Sequence, residues 1–314
     1  MKPVRPILLG IAGDSASGKT TMAEGIVSVL GPERVTSICC DDYHRHTRAE
    51  RKELGLSALD PACNYVDIMQ GHFAQLRRGE AILKPLYDHE TGTFLPPEYV
   101  EPREFVVVEG LLAFHTARMR DAFDVKIYLD PQEELRVDWQ VRRNTARRGY
   151  TRDEVRESIT RRRAASEAFI RPQRRFADMV LHFHRPQERN APDGELNADL
   201  ILRPTIRHPD FSEFIDPRPD SRERCLTLTL GRDEGMPVDI LRITGTIRPV
   251  TAETLMDLVM DSLPVEGVPE QGGVDTASVG SYRYGAEERT SYPLAISQLL
   301  TCYHLINMRL AAVA

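Results

Sequence analysis

The chain has 314 residues, a formal net charge of −6 and a hydrophobic fraction of 41%. At roughly 150 residues per domain, this length predicts about two domains, or one large α/β unit with an extension. The hydrophobic fraction is too high for a disordered chain, and the acidic balance argues against a dedicated nucleic-acid-binding protein.

Neither a membrane segment nor a disulfide framework is predicted. The chain has no apolar run of about 18 residues, the length that a membrane-spanning helix needs. The first apolar stretch starts at Ile7 and is broken at Gly10 and Gly13, too early for a signal peptide. The five cysteines form no C-x-x-C pair, which argues against a zinc site. We therefore expect a protein of the reducing cytoplasm.

Strands and helices alternate along the chain. Short apolar runs predict strands at 7–12, 35–40, 105–108, 125–129, 180–184 and 200–202, and helical spacing predicts helices at 20–30, 132–175, 251–263 and 294–312. Residues 225–230 and 240–244 alternate like antiparallel strands, and 266–281 is predicted to be a loop. The pattern indicates an α/β fold with a mixed, mainly parallel sheet flanked by helices. We predict a core domain over 1–205 and a C-terminal α/β extension over 206–314.

The segment 136–175 is strongly basic, with 13 arginines, no lysine and five acidic residues. For most of these arginines, including 161–163, a solvated helix face is the simpler explanation. Trp139 and Phe176 are predicted to be core residues.

A phosphate-binding motif follows the first predicted strand and opens the first predicted helix. Residues 13–20, GDSASGKT, match G-x-x-x-x-G-K-[ST], the Walker A motif or P-loop. In such a loop the backbone N–H groups cradle phosphate oxygens, the lysine reaches the β- and γ-phosphates, and the hydroxyl binds Mg²⁺. The predicted ATP site comprises Gly13, Asp14, Ser15, Ala16, Ser17, Gly18, Lys19, Thr20 and Thr21.

Acidic residues follow two further strands. Glu109 comes after the run Phe-Val-Val-Val, where an acid in a P-loop enzyme lies beside the metal. We therefore predict that Thr20 and Glu109 hold Mg²⁺. Asp41 follows the second strand, where it can act as general base toward an acceptor hydroxyl. Because ligands of open α/β sheets bind at the carboxyl ends of strands, these residues are expected to lie together.

Basic and aromatic-ring side chains follow Asp41. His44, Arg48 and Arg51 form a cluster that suits a phosphorylated acceptor, since arginine binds phosphate bidentately. A solvated charged loop is the alternative for this stretch. No N-K-x-D guanine signature occurs, which disfavours a GTPase.

These motifs, taken together, resemble phosphoribulokinase of the plant and cyanobacterial type, within the phosphoribulokinase/uridine kinase family of P-loop kinases. The resemblance is carried by CCDDYH (39–44) with Arg48, by KPLYDHETG (84–92), PPE (96–98) and VEGLL (108–112), by RG (148–149) and FIRPQ (169–173), and by the tail AISQLL (295–300). It extends over essentially the whole chain. The P-loop and the P-x-Y-D segment are shared with uridine kinases.

The resemblance implies transfer of the ATP γ-phosphoryl group to the C1 hydroxyl of ribulose 5-phosphate, and a role in carbon fixation by the Calvin cycle. It implies that Asp41 is the base and that the histidine and arginines after it hold the sugar phosphate. Tyr87 and His89 match a stretch that lines the substrate pocket, and a packed loop is the alternative for His89. Arg143 and Arg148 match lid arginines that offset charge on the moving phosphate.

The chain departs from the family pattern in three places. Gln140 and Asn144 replace a lysine and an aspartate of the lid motif, which puts full activity or substrate identity in question. Ser17 replaces the P-loop cysteine that would pair with Cys39, so this redox switch is excluded. Residues 164 and 165, proline and aspartate in the family, are both alanine. The other cysteines are expected to be buried apolar residues, namely Cys40, Cys63, Cys225 and Cys302.

Two alternative functions stay open. One is a related kinase acting on a nucleoside, as uridine kinases do, or on another sugar phosphate. The other is a nucleotide-binding regulatory protein with weakened catalysis, suggested by Gln140 and Asn144. A homodimer is also expected from the resemblance and from the apolar terminal helix, although that helix can equally cover its own subunit.

Overall fold

The structure, a computed structural model, describes residues 5–186, 195–210, 225–261, 279–284 and 287–313. They form two compact units whose segments interleave along the chain. The first unit comprises 1–19, 33–128 and 136–177, and the second comprises 20–32, 129–135 and 178–314. The predicted boundary at residue 205 falls within the second unit. The predicted loop at 266–281 lies mostly outside the described residues.

The first unit contains the parallel strands and most of the predicted site. Its strands are β1 (Ile7–Gly13), β2 (Val35–Cys39), β3 (Ile82–Asp88), β4 (Thr93–Val100), β5 (Phe105–Gly110) and β6 (Val125–Leu129). Its helices are α2 (Arg48–Glu53), α3 (Val66–Arg77), α4 (Ala117–Arg120), α5 (Glu133–Arg148) and α6 (Arg152–Ala165). Within this unit the strand order is β2-β5-β1-β6, and β5 is parallel to both β2 and β1.

The central strands are buried on both faces. Every residue of β1 is buried, as are the first four of β5, which explains why both appear in the sequence as continuous apolar runs. The four strands predicted in this unit are confirmed to within two residues, and the largest difference is at the end of β5. The strand continues through Glu109, because this residue pairs in register with Ile11 on one side and Cys39 on the other.

A two-stranded antiparallel hairpin, β3–β4, was not predicted from the sequence. Lys84 and Pro85 interrupt the apolar pattern of β3, and the register of the hairpin shifts at this point. In β4 seven of eight residues are exposed, and two of them are prolines, so the strand lacks an apolar run. Hydrophobic periodicity alone cannot find a strand of this composition.

The second unit contains the antiparallel strands and the helix that follows the P-loop. Its strands are β7 (Met179–His184), β8 (Asn197–Leu202), β9 (Leu226–Asp233), β10 (Met236–Ile243), β11 (Ser281–Tyr284) and β12 (Glu287–Thr290). Its helices are α1 (Lys19–Leu30, whose first residue belongs to the other unit), α7 (Pro249–Asp261) and α8 (Tyr292–Val313). The order β7-β8-β10-β9 is antiparallel throughout, as predicted for 225–230 and 240–244.

The terminal helix α8 is more deeply buried than an amphipathic helix. From Pro293 to Ile306 nearly every residue is buried, including polar residues such as Gln298. The Gln298 amide accepts a hydrogen bond from the Gly280 N–H (2.8 Å) and donates one to the Thr21 carbonyl of α1 (3.1 Å). Helix α8 therefore covers α1 of its own chain, which accounts for its apolar surface without a second subunit.

No helix in the described ranges combines the length and apolar composition needed to cross a membrane. All five cysteines are free. Cys40, Cys63 and Cys302 are buried as predicted, whereas Cys225 is only half-buried because it precedes β9, a strand with several exposed residues.

Candidate active site

The P-loop has a backbone suited to binding an anion. Ala16 and Gly18 both adopt positive φ angles, 62° and 94°, and the Ser17 N–H donates to the Asp14 carbonyl (3.2 Å). The buried Lys19 ammonium donates to the carbonyls of Gly13 (3.1 Å) and Asp14 (3.0 Å). A left-handed alanine in a tight turn is strained, and such strain is concentrated at functional sites. This turn is the structural basis of the predicted phosphate site.

Asp14 connects the P-loop to a distant part of the chain. One carboxylate oxygen accepts a hydrogen bond from the Ser15 N–H (2.6 Å), and the other accepts one from the Ser166 hydroxyl (2.5 Å). Arg136 lies 3.8 Å from the same second oxygen. Ser166 begins a π-helical turn over Ser166–Ile170, a feature often found at functional sites. This contact joins residues 152 positions apart in sequence.

Two arginines of α5 contact the P-loop, and each is bonded to an amide. Arg136 donates to the Ser15 carbonyl (3.0 Å) and to the Gln140 side chain (3.3 Å). Arg143 donates to the Ser15 hydroxyl (3.2 Å) and to the Asn144 side chain (3.3 Å). Gln140 and Asn144, which depart from the family pattern, are therefore buried hydrogen-bond acceptors that orient these arginines.

The structure places Arg148 as predicted for a residue of the basic helix, whereas Trp139 and Phe176 are not core residues. Arg148 is the last residue of α5. Trp139 is half-buried rather than a core residue, because its ring lies beside the P-loop, 4.0 Å from where a Cβ at Gly18 would be. Phe176 is also half-buried, and the Arg120 guanidinium lies over its ring at 3.7 Å from the centroid.

The predicted acids lie at the carboxyl ends of β2 and β5. The register places Cys39 beside Glu109, and Asp41 lies in the 3-10 turn that begins one residue later. The pKa of the Cys40 thiol is raised well above its ordinary value by burial, then by the charges of Asp41 and Glu109, while Lys19 opposes the shift. The two acids and the P-loop lysine therefore act on one buried point.

A buried ion pair anchors the turn that contains Asp41. The Lys84 ammonium of β3 lies 2.5 Å from the Asp42 carboxylate and 3.7 Å from Glu98 of β4. Lys84 is buried, and removing one partner from such a pair costs several kcal/mol, about 3–5. The hairpin thus helps to fix the position of Asp41, although Lys84 was not predicted as a site residue.

The rings of His44, Tyr87 and His89 pack edge to face. The centroid of His44 lies 4.7 Å from that of Tyr87 and 5.9 Å from that of His89. Arg51 donates to the Tyr87 hydroxyl (2.9 Å) and to the His46 carbonyl (2.8 Å). The structure thus brings four of the five predicted substrate-binding residues into one cluster.

Arg48, the fifth of these residues, contacts the turn of the hairpin. Its guanidinium donates to the carbonyls of His89 (2.5 Å) and Glu90 (3.2 Å), and its N–H donates to the Gly92 carbonyl (2.8 Å). A Cβ at Gly92 would lie only 2.7 Å from that of Arg48. Arg48 therefore holds the turn that carries His89.

The two residues predicted to hold magnesium carry oxygen donors of the type that this ion prefers. Among the described residues, no group of three or more His, Cys, Asp or Glu side chains is placed to hold a metal. Mg²⁺ differs from zinc in this respect, because it takes one or two protein oxygens and completes its shell with phosphates and water. The Thr20 hydroxyl, one residue after Lys19, and the Glu109 carboxylate supply oxygens of this kind.

A glycine-rich turn between a buried strand and a helix, with acids after the neighbouring parallel strands, defines the class of P-loop kinases and related nucleotide-binding proteins. The model of the Phosphoribulokinase / Uridine kinase family matches residues 8–188, more than half of the chain. The chain therefore belongs to the Phosphoribulokinase / Uridine kinase family.

Relatives from both branches of the family are similar to the chain. It is 42% identical over 177 residues to a phosphoribulokinase from Synechocystis sp., an alignment that covers 56% of this chain and 53% of the relative. It is 32% identical over 182 residues to a uridine kinase from Listeria innocua, covering 56% of this chain and 87% of the relative. The alignments span about half the length of the cyanobacterial and plant phosphoribulokinases.

A solved structure shares the fold. The phosphoribulokinase from Rhodobacter spheroides superposes with a TM-score of 0.56 at 18% identity, covering 82% of this chain and 97% of that one. At this identity the likeness concerns the fold alone. The predicted α/β class, with its mixed sheet flanked by helices, is confirmed.

Proposed function

We propose that the chain transfers the γ-phosphoryl group of ATP to the C1 hydroxyl of ribulose 5-phosphate, giving ribulose 1,5-bisphosphate and ADP. The proposal is supported by the position of Asp41 and Glu109 at the carboxyl ends of the adjacent parallel strands β2 and β5, beside the strand that leads into the P-loop. In this arrangement we assign Glu109 to the metal, Asp41 to the proton and Lys19 to the phosphates. The similarity to the Synechocystis phosphoribulokinase supports the choice of acceptor.

In the proposed reaction Asp41 accepts the proton of the acceptor hydroxyl while the hydroxyl oxygen attacks the γ-phosphorus. A new O–P bond forms, and the bond to the β,γ-bridging oxygen breaks as ADP leaves. A positioned general base contributes about 10²- to 10⁴-fold in rate. Lys19 and Arg143 offset the charge that develops on the transferred group, and Arg148 is assigned the same role from the family resemblance.

Thr20 and Glu109 are the residues proposed to hold Mg²⁺ at the nucleotide. When bound, the ion neutralises phosphate charge and orients the β- and γ-phosphates. The chain's own contribution is positional, since phosphoryl transfer depends mainly on alignment and electrostatic stabilisation. The P-loop contacts of Arg136 and Arg143 provide such alignment on the nucleotide side.

A phosphorylated acceptor is supported by Arg51. Its guanidinium lies in the ring cluster, where it bonds the hydroxyl of Tyr87. Guanidinium has five N–H donors, and the two that bond Tyr87 and His46 leave others for a phosphate dianion. A neutral nucleoside makes no use of such a cation.

Nucleoside phosphorylation is the second candidate, because the alignment with the Listeria uridine kinase covers 87% of that protein. A competitive coupled assay of ribulose 5-phosphate against uridine separates the two. We expect turnover of ribulose 5-phosphate with little of uridine, and comparable turnover of uridine would refute the choice. ATP binding with no product from any pentose phosphate would instead support the regulatory alternative.

The homodimer, the cytoplasmic location and the role in carbon fixation stay predictions. The dimer is supported by the resemblance only, because α8 is buried against its own chain. Sedimentation of the purified protein tests it, and a monomer at micromolar concentration would refute it.

A further inference from the structure

A buried contact between His44 and Asn64 is not used by the proposed mechanism. Each residue is only 4% exposed, and His44 Nδ1 lies 2.8 Å from the Asn64 side-chain oxygen. The backbones of the two residues also pair as an antiparallel bridge, flanked by backbone hydrogen bonds of 2.7 and 2.8 Å. The contact is therefore fixed by main chain as well as side chain.

The orientation of the Asn64 amide follows from its other partners. Its nitrogen lies 2.8 Å from the Asp60 carbonyl and 3.2 Å from the Ala58 carbonyl. Carbonyl oxygens only accept hydrogen bonds, so the NH₂ group must face them and the amide oxygen must face His44. Because that oxygen also only accepts, His44 Nδ1 must carry a proton.

This assignment determines the chemistry of the other ring nitrogen. A neutral imidazole protonated at Nδ1 has a lone pair at Nε2, which is a hydrogen-bond acceptor. Burial lowers the pKa of His44 to about 4; the charge of Asp41 opposes the shift, whereas Arg51 and His89 add to it. The ring is therefore neutral near pH 7. No side chain in the described part of the protein hydrogen-bonds to Nε2.

The acceptor site offers two kinds of contact, a neutral hydrogen-bond acceptor at His44 and a positive charge at Arg51. A neutral ring with a lone pair does not attract a phosphate dianion, but it accepts a proton from a hydroxyl group. Arg51 supplies the positive charge nearby, held through Tyr87 of β3 and the His46 carbonyl. Tyr87 and His89 pack against the His44 ring from the hairpin.

We propose that Asn64 is a positioning residue that holds His44 in the tautomer whose Nε2 accepts a hydrogen bond from a sugar hydroxyl, while Arg51 binds the phosphate of the same acceptor. The inference rests on the proposed function for the class of acceptor, a phosphorylated sugar. Beyond that function, His44 contacts a hydroxyl of the sugar and Arg51 contacts its phosphate. Asn64 fixes the tautomer of His44 that makes this contact.

The first test measures the tautomer in the free protein. ¹⁵N NMR of histidine-labelled protein at pH 7, with the His44 signals assigned from the His44→Gln variant, should show a protonated Nδ1 and an unprotonated Nε2. Replacing Asn64→Leu should shift His44 towards the other tautomer. A wild-type His44 that is protonated at Nε2 or is an imidazolium at pH 7 would overturn the proposal, whether or not the variant folds.

The second test uses three His44 variants and the KM for ribulose 5-phosphate. His44→Gln places an amide oxygen near the Nε2 position and should keep the KM within a few-fold. His44→Asn has a shorter amide that does not reach the Nε2 position, and His44→Lys has no acceptor, so both should raise the KM about 10- to 100-fold, the usual effect of an unpaired hydroxyl. The KM for ATP is the internal control and should stay unchanged. A lower KM in His44→Lys than in His44→Gln would mean that position 44 binds the phosphate.

The two tests separate failure of the inference from failure of the proposed function. If the wild-type protein does not phosphorylate ribulose 5-phosphate, the proposed function fails, and the NMR measurement still decides the tautomer. If turnover is found and Nε2 is protonated, the proposed function stands and the role of Asn64 is refuted.

Discussion

The nucleotide and acceptor sides of the first unit use arginine in different ways. On the nucleotide side, Arg136 and Arg143 reach from α5 to atoms of Ser15 in the P-loop, and each also bonds an amide on its own helix. On the acceptor side, Arg48 and Arg51 bond carbonyls of nearby turns and the hydroxyl of Tyr87.

The arginines of the two sides have different roles because Arg136 is buried and Arg48 is exposed. Arg136 is 6% exposed and lies 3.8 Å from a buried carboxylate, so the nucleotide side is a network of buried charges that holds one loop conformation. Arg48 is exposed and serves as a clamp on a hairpin turn. Replacements should therefore affect ATP binding on the first side and acceptor binding or chemistry on the second.

The largest effect is expected at Asp41. Replacing Asp41→Asn keeps the size of the side chain but removes the proton acceptor, so kcat should fall about 10²- to 10⁴-fold. ATP affinity, measured by calorimetry, should remain within a few-fold of wild type because the P-loop is untouched. Turnover equal to that of wild type would refute Asp41 as the base.

The next effect tests the nucleotide side. Replacing Arg136→Met removes the guanidinium that lies 3.8 Å from the Asp14 carboxylate and the bond to the Ser15 carbonyl. The Kd for ATP should rise about 10- to 100-fold, equivalent to about 1.4–2.8 kcal/mol. The matched control is Arg156→Met on the exposed face of α6, which should leave ATP binding unchanged. Equal effects of the two variants would contradict the comparison between buried and exposed arginines.

The sequence identifies those parts of the site that are contiguous or end a strand. The P-loop is one uninterrupted motif, and Asp41 and Glu109 follow from the edge of a parallel sheet. Arg136 and Ser166 were missed because their partners in the P-loop lie 121 and 152 residues away. Hydrophobic periodicity specifies which elements form, but it carries no information on which polar groups meet between them.

The β3–β4 hairpin and the burial of α8 show a second limit of sequence reasoning. The exposed strand β4 has no apolar pattern, and polar residues of α8 such as Gln298 are buried because specific backbone groups satisfy them. Asn64 is a further example, since its importance follows from three hydrogen-bond partners and not from its neighbours in sequence.

Two helical glycines provide a stability test, one on the helix after the P-loop and one on a helix of the acceptor side. A Cβ at Gly25 of α1 would lie 2.0–2.4 Å from the amide of Gln298, which is fully buried and bonded at both ends. Replacing Gly25→Ala should therefore lower the free energy of unfolding by about 2–3 kcal/mol.

Gly71 of α3 is the control for this substitution, because a Cβ there would meet no atom within 4 Å. Replacing Gly71→Ala should raise the free energy of unfolding by about 0.4–1 kcal/mol through the lower entropy of the unfolded chain. Urea denaturation measures both changes. A Gly25→Ala variant as stable as Gly71→Ala would contradict the tight packing of Gln298 on α1.

The last predicted effect is a pH dependence of stability that comes from His44. Its pKa is lowered to about 4 in the folded protein, so in this pH range the unfolded chain, with an ordinary value near 6.5, binds the proton more readily. The stabilisation is thus present above pH 6.5 and is lost as the pH falls towards 4. From pH 7 to pH 5 the loss should be about 2 kcal/mol.

Buried His304 adds a loss of the same sign, because its pKa is lowered to about 3. The contribution of His44 is therefore the difference in acid destabilisation between wild type and His44→Gln, both followed by urea denaturation. If the two proteins lose equal stability between pH 7 and pH 5, His44 is not held neutral by its environment, and the acceptor side would then present a cation at this position as well as at Arg51.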